Sequence, residues 1–338
     1  MQSVTALVCP EPGRLTVERR NVPRRSPDHA LVRPRRVGIC GTDFHIFEGK
    51  HPFLQYPRVM GHELAVEVVE APQESGLAVG EICVVNPYIA CGTCHACDLG
   101  LPNACMSVSV LGVHQDGGMA GLLSLPAANL IRAPGLSADQ CAAVEFLAIG
   151  AHAVRRGAVT AGDRVLVVGT GPIGLGVALF ARLSGGAVEI YDRDPARAEV
   201  AETITGARPL AAGASLKDAA LSATDGDGYD VVFDATGNST AMEAGFDTVG
   251  HGGRYVFVSI VKDPITFLDA DFHRKEMALF ASRNATAQDF ERVMAAMAAG
   301  EVPIEHLITH RTTLEDAVTD MPRWAHDKTG LVKALIEI

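Results

Sequence analysis

Aromatic side chains are scarce in this chain, 5% of 338 residues with a single Trp, and basic residues are outnumbered, 29 Lys and Arg against 40 Asp and Glu. The formal charge of −11 argues against duplex nucleic acid and anionic membrane as partners, because both favour basic surfaces. No window reaches the roughly 18 apolar residues that span a bilayer, and Met1 to Pro12 has no basic stretch leading into a long apolar run. A cytoplasmic protein acting on a small molecule is the expectation. Internal repeats and low-complexity segments are absent as well. Glycine is plentiful, 34 residues on a 48% hydrophobic background, which suits an α/β protein whose βα turns need positive φ and close backbone approach. The length exceeds the usual size of one core, so two domains are expected.

The first 150 residues read as short β-type runs broken by Pro and Gly, for example 30–33 and 64–69. From Arg164 the texture changes to βα alternation. Arg164 to Val168 is an apolar strand and Ile173 to Leu183 a small-residue helix; 187–191, 229–234, 254–260 and 278–281 are further strands, spaced for crossover helices and a parallel sheet. Residues 211–228, rich in Ala, Gly and Asp, read as a surface helix with loops. Phe290, Val293, Met294 and Met297 recur at i, i+3, i+4 and i+7 between a Thr286 cap and Gly300, which predicts a helix. Segments 307–310 and 331–338 look like strands returning to the first domain. The expected organisation is a β-rich domain over 1–149, a doubly wound parallel-sheet domain over 150–285, and a C-terminal segment 286–338 that rejoins the first domain.

Eight cysteines without an export signal are better read as thiols or metal ligands than as a disulfide framework. Cys91, Cys94, Cys97 and Cys105 form C-x2-C-x2-C-x7-C, and four thiolates on one loop match the closed tetrahedral coordination of structural zinc. An iron–sulfur cluster or two disulfides are the competing readings. Cys9, Cys83 and Cys141 have no such neighbours and read as small buried hydrophobes. A second, dispersed set consists of Cys40, His62, Glu63 and Glu145. Catalytic zinc takes about three ligands of mixed S, N and O type and keeps one position open, which this set can supply. Taken singly, these are a core thiol, a turn histidine and an exposed acid at a helix start.

The apolar run 165–168 leads directly into Gly169, Thr170, Gly171, Pro172, Ile173 and Gly174. This is G-x-G-x-x-G between a strand and a helix, where glycines permit a tight turn and a dinucleotide pyrophosphate meets the helix N-terminus. Asp192, eighteen residues on, can accept from ribose hydroxyls and repel a 2′-phosphate, so NAD is favoured over NADP. The nearby cations Arg193 and Arg197 pull the other way, or are surface charge.

By G-I-C-G-T-D-x-H at 38–45, G-H-E at 61–63, the four-cysteine loop, G-T-G-P-I-G at 169–174 and D-A-T-G at 234–237, the chain is identified as a member of the zinc-containing medium-chain dehydrogenases over nearly its whole length. The resemblance implies a GroES-like catalytic domain and a Rossmann domain, two zinc ions per chain, NAD, and a homodimer or homotetramer. Thr236 joins the cofactor-binding residues on this ground. The acid at Glu145 is similar to the polyol branch that includes sorbitol dehydrogenases, and 113–118, 151–156 and 282–286 are similar to bacterial oxidoreductases of L-galactonate. One departure stands out: the family usually has proline after the third-ligand acid, and here Phe146 follows Glu145, which puts the local helix start in doubt. The resemblance leaves Glu63 either a direct ligand or a partner of one. It implies a proton relay from Thr42 to His45, with Asp43 orienting rather than acting as a base. A polyol or sugar acid is the implied substrate; Arg283, with His114 and Arg58 behind it, is the candidate cation for a substrate carboxylate. A non-catalytic NAD-binding zinc protein and a zinc-free quinone reductase are the alternatives, and neither needs the full ligand set.

Overall fold

In a computed structural model, residues 3–50, 54–211 and 215–338 are described. They divide into two compact units, Met1–Glu145 with Thr286–Ile338, and Phe146–Ala285. The helix Ala138–Arg156 runs across the first division, which is why no change of composition marks it.

The first unit is built on a sheet ordered Leu130–Arg132, Ile82–Val85, Glu63–Glu70, His29–Ile39, Lys333–Glu337 and Ile308–Thr313, with Leu123–Pro126 also on His29–Ile39. Pairing is antiparallel except between the last two strands of that order. The C-terminal strand Lys333–Glu337 thus lies directly beside His29–Ile39. A smaller sheet joins Arg14–Asn21, Ser3–Glu11 and Arg58–Val59. Between them sits one apolar core that includes Leu7, Val32, Ile46, Leu64, Val66, Met119, Leu125 and Ile336.

The second unit holds six parallel strands ordered Arg208–Pro209, Ala187–Tyr191, Arg164–Val168, Tyr229–Asp234, Val249–Phe257 and Ala278–Ala281. The first of these in sequence lies mid-sheet, so the order reverses between it and Tyr229–Asp234, the switch point at which such sheets open a ligand crevice. Both of these central strands are apolar and buried on both faces, as helix-covered parallel strands are.

Several boundaries differ from the sequence expectation. The helix carrying Glu145 starts at Ala138, seven residues before the acid. Ser137 and Gln140 bond each other's backbone N–H reciprocally at 3.2 and 2.8 Å, a capping box that sets the start without any proline. The strand expected over 254–260 spans Val249–Phe257, irregular in register near Tyr229 and Val231, and Ile260 is exposed. Its Gly250–Gly253 stretch looks like a turn yet forms a bulged strand. Leu307 closes a short helix, Ile304–Leu307, before the strand Ile308–Thr313. Within 211–228 the helix is Leu216–Ala223; residues 212–214 of that expectation lie outside the described residues.

Candidate active site and metal centres

The loop after Ile89 brings the four cysteine sulfurs together. Sγ–Sγ separations are 3.6 Å for Cys94–Cys97, 3.8 Å for Cys94–Cys105 and 3.5 Å for Cys91–Cys105. Four sulfurs at about 2.3 Å from one zinc define a tetrahedron with edges of about 3.8 Å, so the cluster fits a single ion. Backbone N–H groups of Cys91, Met106 and Ser107 point at Cys105, Cys94 and Cys105 sulfurs at 3.3–3.5 Å, as suits thiolates. Among the described residues there is no disulfide; all eight cysteines are free.

Three members of the dispersed set, Cys40, His62 and Glu63, also converge. Cys40 caps the helix Gly41–Phe47, and its N–H donates to Asp43 at 2.8 Å. The other oxygen of Asp43 accepts the Gly61 N–H at 3.3 Å. One fully buried carboxylate therefore ties the Cys40 turn to the His62 turn. Burial pushes its pKa up, against the opposing pull of His62. The ligand atoms of Cys40, His62 and Glu63 lie within 4.8 Å of one another.

Glu63 sits opposite Gly38 in the register, and a Cβ at Gly38 would overlap the Glu63 carboxylate. Glycine there is what lets this acid fold back over the strand. Lys333 meets it from the C-terminal strand, donating at 2.6 and 2.8 Å to its two oxygens and at 3.4 Å to the Ile39 carbonyl. Both side chains are out of water, 2% and 0% exposed.

Glu145 is also buried. One of its oxygens accepts the Tyr88 hydroxyl; the other, like Nδ1 of His62, has no hydrogen-bond partner. Burial raises the Glu145 pKa to about 7, with Glu63 adding to the effect and His62 opposing it. For His62 burial alone would lower the value, but Cys40 and Asp43 hold it well above the ordinary one. Cys40, Asp43, Glu63 and Glu145 thus concentrate more potential negative charge than Lys333 can balance. Thiolate, imidazole and carboxylate with an unsatisfied buried oxygen fit zinc.

Thr42 Oγ1 is 3.8 Å from Cys40 Sγ. His45 is on the exposed side of the same helix; partial burial and then Lys328 lower its pKa, which favours the neutral imidazole. Of the expected substrate residues, Arg58 is held by Asp116 and the Gln55 carbonyl at 3.4 Å. His114 is exposed and its Nδ1 accepts the Val110 N–H at 3.0 Å. Arg283 is exposed in the second unit, two residues past Ala278–Ala281.

In the second unit the glycine loop joins Arg164–Val168 to the helix Pro172–Leu183, with Gly171 as its N-cap and Pro172 in its first turn. A Cβ at Gly174 would run into the Gly169 carbonyl oxygen, so the turn can close only around glycine. Ile173 follows Pro172 in that turn. Asp192 directly follows the neighbouring strand Ala187–Tyr191 and accepts the N–H and hydroxyl of Thr170, both at 2.9 Å, and the Asp194 N–H at 3.0 Å. It braces the loop and keeps lone pairs for further donors. Thr236 binds Asp234 through N–H and hydroxyl at 2.9 and 2.8 Å; Arg193 and Arg197 are exposed.

Comparison with known proteins agrees with both halves. Residues 26–135 match the alcohol dehydrogenase GroES-like domain and residues 172–299 the zinc-binding dehydrogenase family. L-galactonate-5-dehydrogenase of Escherichia coli K12 is 40% identical over 338 residues, covering 99% of each chain. The chain belongs to the zinc-binding dehydrogenases. An E. coli CFT073 alcohol dehydrogenase solved with NADH is similar at TM-score 0.92 and 27% identity, covering 99% of each chain. A zinc-binding dehydrogenase of Sinorhizobium meliloti bound to NADP reaches 0.91 at 27% identity, over the whole of both chains. As a zinc-binding dehydrogenase the chain is an oxidoreductase with a GroES-like unit and a Rossmann unit.

Sequence reasoning passed over Lys333 and Tyr88. A lysine set in the apolar run Leu331–Ile336 was a usable signal, since a charge on a strand buried on both faces needs a partner. Nothing in the sequence pointed to Tyr88.

Proposed function

We propose that this enzyme oxidises a secondary hydroxyl of a sugar acid, with L-galactonate as the reference substrate and NAD as hydride acceptor. The observation that carries the reading is the 40% identity along 99% of both chains with L-galactonate-5-dehydrogenase. Zinc at the Cys40 site supplies Lewis acidity that lowers the pKa of the substrate hydroxyl. Cys40, His62 and the unpartnered oxygen of Glu145 are the residues that hold it; Glu63 is already neutralised by Lys333. Asp43 fixes the two ligand turns relative to each other. The Thr42 hydroxyl would accept the substrate proton as it releases its own toward His45, whose lowered pKa favours the neutral imidazole that can take the proton and return it to solvent. Gly169 to Gly174 receive the pyrophosphate and Asp192 the ribose.

Homodimeric or homotetrameric assembly and a cytoplasmic setting belong to the same reading; among the described residues no helix is long and apolar enough to cross a membrane. The test is a panel of aldonates, neutral polyols and simple alcohols offered with NAD, following NADH. Higher kcat/KM on L-galactonate and related aldonates than on sorbitol supports the reading. Preference for neutral polyols moves the protein to the polyol branch.

A further inference from the structure

We infer that Tyr88 is a positioning residue: its hydroxyl holds one oxygen of Glu145 so that the other faces the Cys40–His62 cluster, and it does so from the base of the four-cysteine loop. The inference rests on the reading of Glu145 as the carboxylate ligand.

Tyr88 lies on the two-residue strand Tyr88–Ile89, which pairs with Ser109–Val110. These two strands are the entry and exit of the segment that carries Cys91 to Cys105. The Leu111 N–H also bonds the Pro87 carbonyl at 3.1 Å, closing the loop's neck. At this neck the Tyr88 backbone is pinned, its N–H donating to Asn86 Oδ1 at 3.1 Å and its carbonyl accepting from Asn129 at 3.4 Å. The ring is 7% exposed and packs edge-on to Phe290, centroids 6.5 Å apart. With backbone and ring both fixed, the hydroxyl has one position, and Glu145 is its acceptor.

Glu145 needs such a partner. It stands mid-helix with its side chain buried, and a carboxylate with one free oxygen can turn either oxygen inward unless one is occupied. The Tyr88 hydrogen bond removes that choice and satisfies half the group. Loss of an outer partner of a metal ligand typically costs 10–100-fold in metal affinity or activity. The arrangement also makes the closed cysteine loop relevant to the open site, since the neck that the loop's metal organises is the neck that presents Tyr88.

The experiment compares Tyr88→Phe, Glu145→Gln and the double variant in full-length protein with zinc replaced by cobalt at the Cys40 site. It reads the visible cobalt spectrum, the competition constant against a chelator, and kcat and KM, with the thermal midpoint as a folding control. Phenylalanine keeps the ring and its contact with Phe290, so the midpoint should hold. The expected result is a changed cobalt spectrum, metal affinity about tenfold weaker and a fall in kcat larger than any rise in KM for Tyr88→Phe, with little further loss when it is added to Glu145→Gln. Tyr88→Phe indistinguishable from wild type, while Glu145→Gln alters the spectrum, overturns the inference alone. An unaltered spectrum in Glu145→Gln overturns the ligand reading and the inference with it.

Discussion

Replacing Lys333 by Met probes the least expected feature of the site, a bidentate ion pair with Glu63 in which neither side chain touches water. The stem packs much as before, but Glu63 is left buried with its charge unpaired, since the ammonium that donates to both of its oxygens is gone. Breaking a buried pair on one side typically costs about 3–5 kcal/mol. For a unit of this size each kcal/mol lowers Tm by roughly 2–4 °C, so a fall of roughly 10 °C is expected. Removing both charges together, as Lys333→Met with Glu63→Met, should recover most of that loss, because two apolar side chains make no demand for a partner. Unfolding in urea, followed by fluorescence and circular dichroism on zinc-loaded protein, gives the three free energies. On the proposal that Glu145 supplies the carboxylate, the double variant should also keep its full complement of zinc; loss of one zinc would instead assign the ligand to Glu63, whose oxygens lie with Cys40 and His62. A loss under about 1 kcal/mol for the single variant, well below what such pairs lose, or a double variant no better than the single one, would refute the pairing argument.

Cys97→Ser should chiefly lower stability and release one zinc, since it opens a closed cluster; calorimetry and metal analysis check both. Asp192→Ser should narrow the preference for NAD over NADP, because a carboxylate beside a 2′-phosphate costs on the order of 1–4 kcal/mol; kcat/KM with each cofactor decides it, and a wild type that prefers NADP contradicts the assignment. Asp234 is fully buried with one oxygen unpartnered, and burial raises its pKa from 3.8 to about 6. Its folded form therefore binds a proton more tightly than the unfolded form, so it lowers stability progressively as pH rises from about 4 through 6 and stays costly above. Asp234→Asn should stabilise the protein at pH 8, by no more than about 3 kcal/mol, and by less at pH 5. Equal effects at the two pH values in thermal unfolding would contradict that.

Elements whose signal is local were legible in the sequence. Arg164–Val168, Ala187–Tyr191, Tyr229–Asp234 and Ala278–Ala281 appear with the bounds expected of them; the first and third are buried on both faces and read as plain apolar runs, while the other two, only partly buried, are short apolar runs between polar or glycine-rich segments. The cysteine loop was legible for the same reason, as all four ligands fall within one short segment. Tyr88 was not legible, and Lys333 showed only as a charge without a visible partner, since each acts on a residue far away in sequence: Lys333 on Glu63, 270 residues off, and Tyr88 on Glu145, 57 residues off. The missing proline after Glu145 left the local helix start in doubt, although Ser137 and Gln140 mark it in the sequence. Asp43 was read as an orienting group, but its hold on the Gly61 N–H depends on how two turns pack, which no spacing encodes.

The most direct test of the whole account is to measure zinc content and NAD-linked turnover on the same preparations of wild type and Cys40→Ser. Two zinc ions per chain with NADH formation on an aldonate, against one zinc and no turnover in a variant whose circular dichroism and Tm match wild type, is the predicted result. Wild-type protein with one zinc or none after careful purification, or a Cys40→Ser variant that still forms NADH, would contradict it.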